Sequence, residues 1–187
     1  MTSAKECHVL SYRVDWLEMR APSQGAGRSP ERNVQLLEAR DFPTWYFFAM
    51  YDAVGGEYVW EDMHLEDADI VAAYVRSPET RMFTMIIGGW PQGFFVLDTR
   101  SAGICDISYF GLVKQAIGKG LGGWLLDQAI ARGWAMPGVR KITVNTCTLD
   151  HPRALPLYES RGFTHVRSEE RTRSVRSSRL NPQGKDK

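Results

Sequence analysis

Three cysteines in 187 residues, Cys7, Cys105 and Cys147, are too few, too scattered and odd in number for a disulfide framework or a clustered metal site. That excludes the small disulfide-stapled scaffolds and points to a reducing, cytoplasmic setting. Long apolar runs are also missing: the longest, Trp45 to Tyr51, is far short of the roughly 20 residues a membrane helix needs. The N-terminus, MTSAKECHVL, lacks the apolar stretch of a signal peptide. Neither export nor membrane spanning is expected. No Gly-Lys-Ser/Thr closes a glycine loop, so a Walker-type nucleotide site is excluded. No aromatic residue follows Phe163, so a basic C-terminal arm has nothing to stack on bases, and a nucleic-acid partner is not expected.

What is present is a hydrophobic fraction of 43%, enough for one core without disulfides or metals in a chain of single-domain length. The net charge of +1 hides an uneven distribution. Asp52, Glu57, Glu61, Asp62, Glu66, Asp67, Asp69 and Glu79 are opposed within their stretch only by Arg76. From Arg167 onward seven bases face three acids. The expectation is one domain over residues 1–168 and a solvated, mobile basic tail over 169–187.

Period-two alternation of Tyr12, Val14 and Trp16 predicts a half-buried strand over Ser11–Met19, irregular near Trp16. Ala, Pro, Ser and Gly over Arg20–Asn33 read as an exposed loop, and Val34–Ala39 as a second strand. Asp41 stands as a candidate N-cap for a helix through TWYFFAMYDAV that stops at Gly55-Gly56. Another helix is expected from about Leu65 to Arg76. A hairpin follows, Arg81–Ile87 and Gly93–Asp98, then a strand at Ile104–Val113, a helix at about Gly120–Met136, a strand at Lys141–Cys147, a short helix at Pro152–Ser160 and a last strand from Phe163 onward. The order predicts an α/β chain: a mixed, mostly antiparallel sheet flanked by helices.

The sharpest local signal is Gln115-Ala116-Ile117-Gly118-Lys119-Gly120-Leu121-Gly122, set between a strand and a long helix. Glycines let backbone approach an anion closely, and a helix N-terminus offers unpaired N–H groups and a positive dipole end. A phosphate or pyrophosphate suits such a turn, although a plain structural turn has the same spelling.

Gln115-x-x-Gly118-x-Gly120 resembles the Gln/Arg-x-x-Gly-x-Gly/Ala signature of the GNAT superfamily of acetyl-CoA-dependent N-acetyltransferases. Ala154-Leu155-Pro156-Leu157-Tyr158-Glu159-Ser160-Arg161-Gly162-Phe163 is similar to the family's second signature, Ala-x-x-x-Tyr-x-x-x-Gly-Phe. The resemblance is firm from about Gly103 to Phe163 and follows the family's element order back to Val34, with Ser11–Met19 as an additional strand. It implies acetyl-CoA as co-substrate and no metal. The backbone of Ile117, Gly118, Lys119, Gly120, Leu121 and Gly122 would hold the pyrophosphate, Leu112 and Val113 would pair with the pantetheine arm, and Ala154 and His151 would lie along the cofactor. Phe110-Gly111 stands where the family strand bulges and splays the sheet.

The chemistry so implied needs a base, a polarised carbonyl and a proton for the leaving thiolate. An alkyl ammonium with a pKa of about 10.4 must lose its proton before attack. Asp106 is the candidate base, acting through a water, or an acid satisfied by neighbours on the sheet. Tyr158 is the candidate acid, since the family tyrosine points at the thioester sulfur, and a backbone N–H near Leu112 would receive the oxyanion. Many relatives carry Asn where His151 stands, so His151 is a cofactor contact, a cap of the next helix or the base. Asn145 and Thr146 are set to face the same slot, and Cys147 reads as core.

In the family the acceptor lies against the first helices. The acidic block here, with Glu57, Tyr58, Trp60 and Glu61, suits a small cationic amine, while a solvated helix face is the bland reading. The other readings are acetylation of a protein amine and a non-catalytic acyl-CoA-binding or sensing module. The additional strand and an exposed sheet edge leave room for a homodimer.

Overall fold

The structure, a computed structural model, describes residues 7–22 and 33–176. The strands are β1 (Cys7–Met19), β2 (Gln35–Ala39), β3 (Thr80–Ile87), β4 (Trp90–Asp98), β5 (Ile104–Leu112), β6 (Lys141–Cys147) and β7 (Thr164–Arg176). The α-helices are α1 (Thr44–Gly55), α2 (Asp62–Leu65), α3 (Ala68–Arg76), α4 (Leu121–Trp134) and α5 (Ala154–Ser160). All seven strands share one sheet in the order β2-β3-β4-β5-β6-β1-β7, antiparallel except for β5 beside β6. The α/β mixed sheet read from the sequence is the observed architecture.

Helices cover both faces. On α1 the buried Phe47, Met50, Tyr51 and Val54 recur at helical spacing, and Val71, Tyr74 and Val75 do so on α3. Phe47 and Tyr74 meet Tyr109 of β5 edge-on, so α1 and α3 lie on one face. On the other, Leu121, Leu125, Leu126, Ala129 and Ile130 of α4 enter the core, and a Cβ at Gly133 would stand 2.9 Å from Ile142 and 3.2 Å from Cys105. Gly88 and Gly89, at φ 62° and 84°, form the two-residue turn between β3 and β4 that matches the strands' twist.

β1 is inserted between β6 and β7 rather than added at an edge. Tyr12, Val14 and Trp16 lie on the α1 side, whereas Leu17 and Met19 pair with Val144 and Ile142 on the α4 side. The irregularity expected near Trp16 belongs to β7: Trp16 pairs with Arg167 and Leu17 with His165, leaving Val166 as the extra residue.

Several expectations need correction. Residues 169–176 are no mobile tail; they continue β7, and Val175 is fully buried. β1 supplies backbone partners as far as Cys7 opposite Arg176, so a basic sequence is held as a strand by a ladder it does not contain. Residues 177–187, and residues 23–32 of the expected loop, lie outside the described residues. Asp41 does not cap α1: it sits at φ 49°, and Pro43 is the N-cap without a side-chain bond. The helix expected from about Leu65 to Arg76 is α3, which begins at Ala68 where the Asp67 carboxylate accepts from the Asp69 N–H at 2.8 Å, and the short α2 precedes it.

Candidate active site

β5 and β6 run in register only from Ile104/Lys141 to Ile107/Val144. Beyond Ile107 the strands part. The cause lies on β5, where Val96 of β4 pairs with Tyr109 and Leu97 with Ile107, so Ser108 is the extra residue. The bulge is therefore at Ser108, not at Phe110-Gly111. It also reverses the alternation: Asp106 and Tyr109, three apart, would point to opposite faces of a regular strand, but the bulge puts both on the α1 side.

The parted strands open a cavity of about 900 Å³. One end is walled by Leu112, Ile117, Gly118, Gly120, Leu121, Gly122 and Ala154, the middle by Asp106, Ser108, Phe110, Asn145 and Tyr158. At the far end stand Tyr12, Tyr58, Trp60, Asp62, Cys147, Asp150, His151, Arg171 and Arg173.

At the first end, Gly118 and Gly120 have φ 84° and 75°, a Cβ on either would meet no other atom within 4 Å, and the first amides of α4 carry no side-chain cap. Such an N-terminus can hold an anion. The Val113 N–H donates to the Gln92 carbonyl at 3.0 Å, so by strand alternation the main chain of Leu112, not of Val113, faces the gap. Val113 is buried, and Lys119 is exposed off the cavity wall.

Tyr158 reaches the gap from α5. Gly162, at φ 93°, closes that helix: its N–H donates to the Glu159 carbonyl at 3.0 Å, and Phe163 N–H donates to the Tyr158 carbonyl at 3.2 Å. This is a Schellman cap, and it folds the Phe163 ring against Tyr158 at 6.0 Å. The Tyr-x-x-x-Gly-Phe spacing is thus the spelling of one helix end. Arg161 ties that end to Asp127 of α4 at 2.7 Å. The Tyr158 ring is buried and its hydroxyl has no hydrogen-bond partner among the described residues; burial, then the charges of Asp150 and Asp106, raise its pKa above the ordinary tyrosine value.

Three carboxylates enter the cavity, each held by neutral donors. Asp106 accepts from Thr143 Oγ1 at 2.6 Å and Ser108 Oγ at 2.9 Å, and burial raises its pKa above the usual carboxylate range. Asp62 accepts from the hydroxyls of Tyr51 at 2.5 Å and Tyr109 at 2.6 Å. Asp150 accepts from Trp60 Nε1 at 3.0 Å, and from Thr146 Oγ1 and the Cys147 N–H at 2.8 Å each. Asp150 thereby pins the segment between α1 and α2 to the loop after β6.

The sequence model of the Acetyltransferase (GNAT) family matches residues 34–163. The chain belongs to the GNAT acetyltransferase family. No curated protein matches it. Among solved structures it is similar to a GCN5-related N-acetyltransferase from Kribbella flavida, with a TM-score of 0.61 and 12% identity over 91% of this chain and 60% of that one. A second, from Sphaerobacter thermophilus, gives 0.59 and 17% over 89% and 52%. This chain thus spans less than two thirds of either. An aminoglycoside acetyltransferase from an uncultured soil metagenomic sample, in complex with sisomicin, gives 0.54 and 11% over 69% and 87%. At such identities the likeness is one of fold.

Within this GNAT fold the residues singled out from the sequence divide. Asp106, Tyr158, Leu112, Ile117, Gly118, Gly120, Leu121, Gly122, Ala154, His151, Tyr58 and Trp60 line the one cavity. Glu57 and Glu61 do not: Glu57 is exposed and pairs with Lys114, and Glu61 is turned into the protein. His151 Nδ1 accepts from the Arg153 N–H at 3.1 Å in the turn before α5 and does not cap that helix, whose N-cap is Arg153; the bond leaves Nε2 as the proton-bearing nitrogen and no free lone pair for a base. Asn145 faces the cavity, whereas Thr146 is buried on the opposite side of β6. Cys147 is a wall residue rather than core; burial pushes its thiol up to about 11, so it stays protonated. Asp62, Tyr109, Arg171 and Arg173 were not singled out. For the arginines a signal existed in the period-two spacing of Arg171, Arg173 and the buried Val175.

Proposed function

We propose that the chain transfers the acetyl group of acetyl-CoA directly to the primary amine of a small acceptor. The observation that carries this reading is that the glycine loop, Asp106 and Tyr158 line one continuous cavity where β5 and β6 part. The open space over Gly118 and Gly120 and the uncapped start of α4 fit a pyrophosphate. The Leu112 main chain would take the pantetheine arm, with Ala154 beside it at the glycine-loop end and His151 where the arm meets the far end. Acetyl-CoA would supply an activated acyl thioester.

Asp106 takes the proton of the acceptor ammonium through a water, and its raised pKa suits proton acceptance near neutrality better than an ordinary carboxylate does. The Leu112 N–H, facing the gap, stabilises the developing oxyanion. Tyr158, protonated across the physiological range, delivers its hydroxyl proton to the departing thiolate. Asp62 and Asp150, hydrogen-bonded by neutral donors, draw the cationic amine in, with Tyr58 and Trp60 beside it. The aminoglycoside acetyltransferase among the structural neighbours supports a small amine as acceptor.

The test is calorimetric titration of acetyl-CoA and CoA into the wild type and Gly120→Glu, followed by thiol release over an amine panel. Binding lost in the variant together with turnover by the wild type supports the reading. No wild-type binding overturns it, and binding without turnover on a broad panel moves the assignment to a sensing module.

A further inference from the structure

The far end of the cavity holds cations as well as acids. β1 and β7 pair with Tyr12 opposite Arg171 and Leu10 opposite Arg173, so both arginines stand on the same face of the sheet as Asn145 and Cys147. Arg173 donates Nη1 to the Val59 carbonyl at 2.5 Å and lies over the Tyr12 ring at 5.3 Å, which fixes it at the end roofed by the α1–α2 segment, away from the glycine loop. Arg171 lies over Trp16 at 5.0 Å, with Nε and Nη2 engaged to Glu169, two residues back on the same face of β7, at 3.2 and 3.3 Å. Each guanidinium keeps donors unspent, since five N–H groups are available and one or two nitrogens are engaged. Side chains two apart on a strand stand about 7 Å from one another, a separation that one planar carboxylate between them can bridge.

The far end of the cavity therefore sets a pair of arginines beside carboxylates held by neutral donors. A polyamine there would set some of its ammonium groups against the guanidiniums.

We infer that the acceptor is a zwitterion, an amine that also bears a carboxylate, and that Arg171 with Arg173 reads the carboxylate. This rests on the acetyltransferase reading above and names its substrate class. Three consequences follow from the charges. The acid acceptor should be preferred over its carboxamide even though the amide's amine is less basic and more of it is free to attack. The preference should sit in KM, because the carboxylate is bound equally in ground and transition states. It should weaken with salt, because Arg171 is half exposed.

The experiment compares kcat/KM for amino acids and short ω-amino acids with that for their carboxamides, in the wild type, Arg171→Ala and Arg171→Lys. Acetyl-CoA titration on each preparation serves as the folding control. Expected are an acid-to-amide ratio above tenfold in the wild type, its collapse toward one in Arg171→Ala through KM, and partial return in Arg171→Lys. A wild-type ratio at or below one overturns the inference, as does an equal loss on acids and amides in Arg171→Ala. If acetyl-CoA binds and nothing turns over, the transferase reading fails by itself. Quenching of the cavity tryptophan Trp60 by an amino acid and its amide then still decides the carboxylate site, amide as strong as acid overturning it.

Discussion

The Tyr158 ring is buried, but its hydroxyl has no hydrogen-bond partner among the described residues, so its removal costs chemistry and almost no hydrogen-bond energy. Tyr158→Phe is expected to keep acetyl-CoA affinity and Tm within about 2 °C while kcat falls by about 10²-fold, the scale of a lost general acid. Asp106 makes the opposite case. Its pKa is raised on folding, chiefly by burial, so the folded protein binds the proton more tightly than the unfolded chain. Stability must then fall as pH rises from the unfolded carboxylate value through the raised folded one, and the cost is complete above both. Asp106→Asn should therefore match the wild type in thermal melting near pH 4 and gain on it steadily toward neutrality, while kcat drops. A difference that shrinks as pH rises would overturn the burial argument. Tyr158 is legible in the sequence because the helix-end motif spells it, whereas Asp106 is reached only through its place on the strand in the family resemblance. Asp62 and Asp150 are reached by neither route, since their roles depend on hydroxyls and an indole brought from elements 11 to 90 residues away.

At the level of elements, the second motif is legible because it describes a helix end. Gly162 must hold φ 93° for Phe163 to reach Tyr158. Gly162→Ala is expected to cost roughly 1–2 kcal/mol, seen as a Tm loss of a few degrees, and to lower kcat by more than it raises the dissociation constant for acetyl-CoA. Equal effects on both would mean that the turn serves only stability. The bulge on β5 illustrates the opposite limit. The family resemblance puts the bulge at Phe110-Gly111, but Gly111 is small because α1 presses on it: a Cβ there would lie 2.4 Å from Val54. Ser108, the actual extra residue, looks like an ordinary strand residue. Only register against β4 and β6 reveals it, and register is a property of three strands together. The acidic block misled in a similar way. Glu57 and Glu61 look like a docking face, yet one pairs with Lys114 and the other turns inward, while Asp62 beside them enters the cavity.

On the scale of the whole molecule, β1 sits between β6 and β7, so residues 146 to 169 positions apart in the chain share a ladder from Cys7/Arg176 to Glu18/Thr164. A basic, aromatic-poor C-terminus reads as a tail when only its own residues are considered; its strand partners are at the other end of the sequence, and no local pattern announces them. Residues 169–176 bring the buried Val175, the Arg173 bond to Val59 and the cation–π contact of Arg171 with Trp16. Without them Leu10 and Tyr12 lose their cross-strand neighbours and the cavity loses its cationic wall. A chain truncated after Ser168 is therefore expected to melt more than about 10 °C lower, since each kcal/mol lost from a domain of this size costs about 2–4 °C and one buried aliphatic side chain alone contributes 1–3 kcal/mol. It should also aggregate through the bared edge of β1. Unchanged melting in the truncated chain would mean that the long pairing contributes nothing to stability and that the tail reading was correct. Closing a ladder between the two ends is also the entropically slowest contact in the fold. Refolding of the full-length chain should accordingly show β1–β7 pairing last, with hydrogen exchange in Cys7–Arg13 protected after β3, β4 and β5.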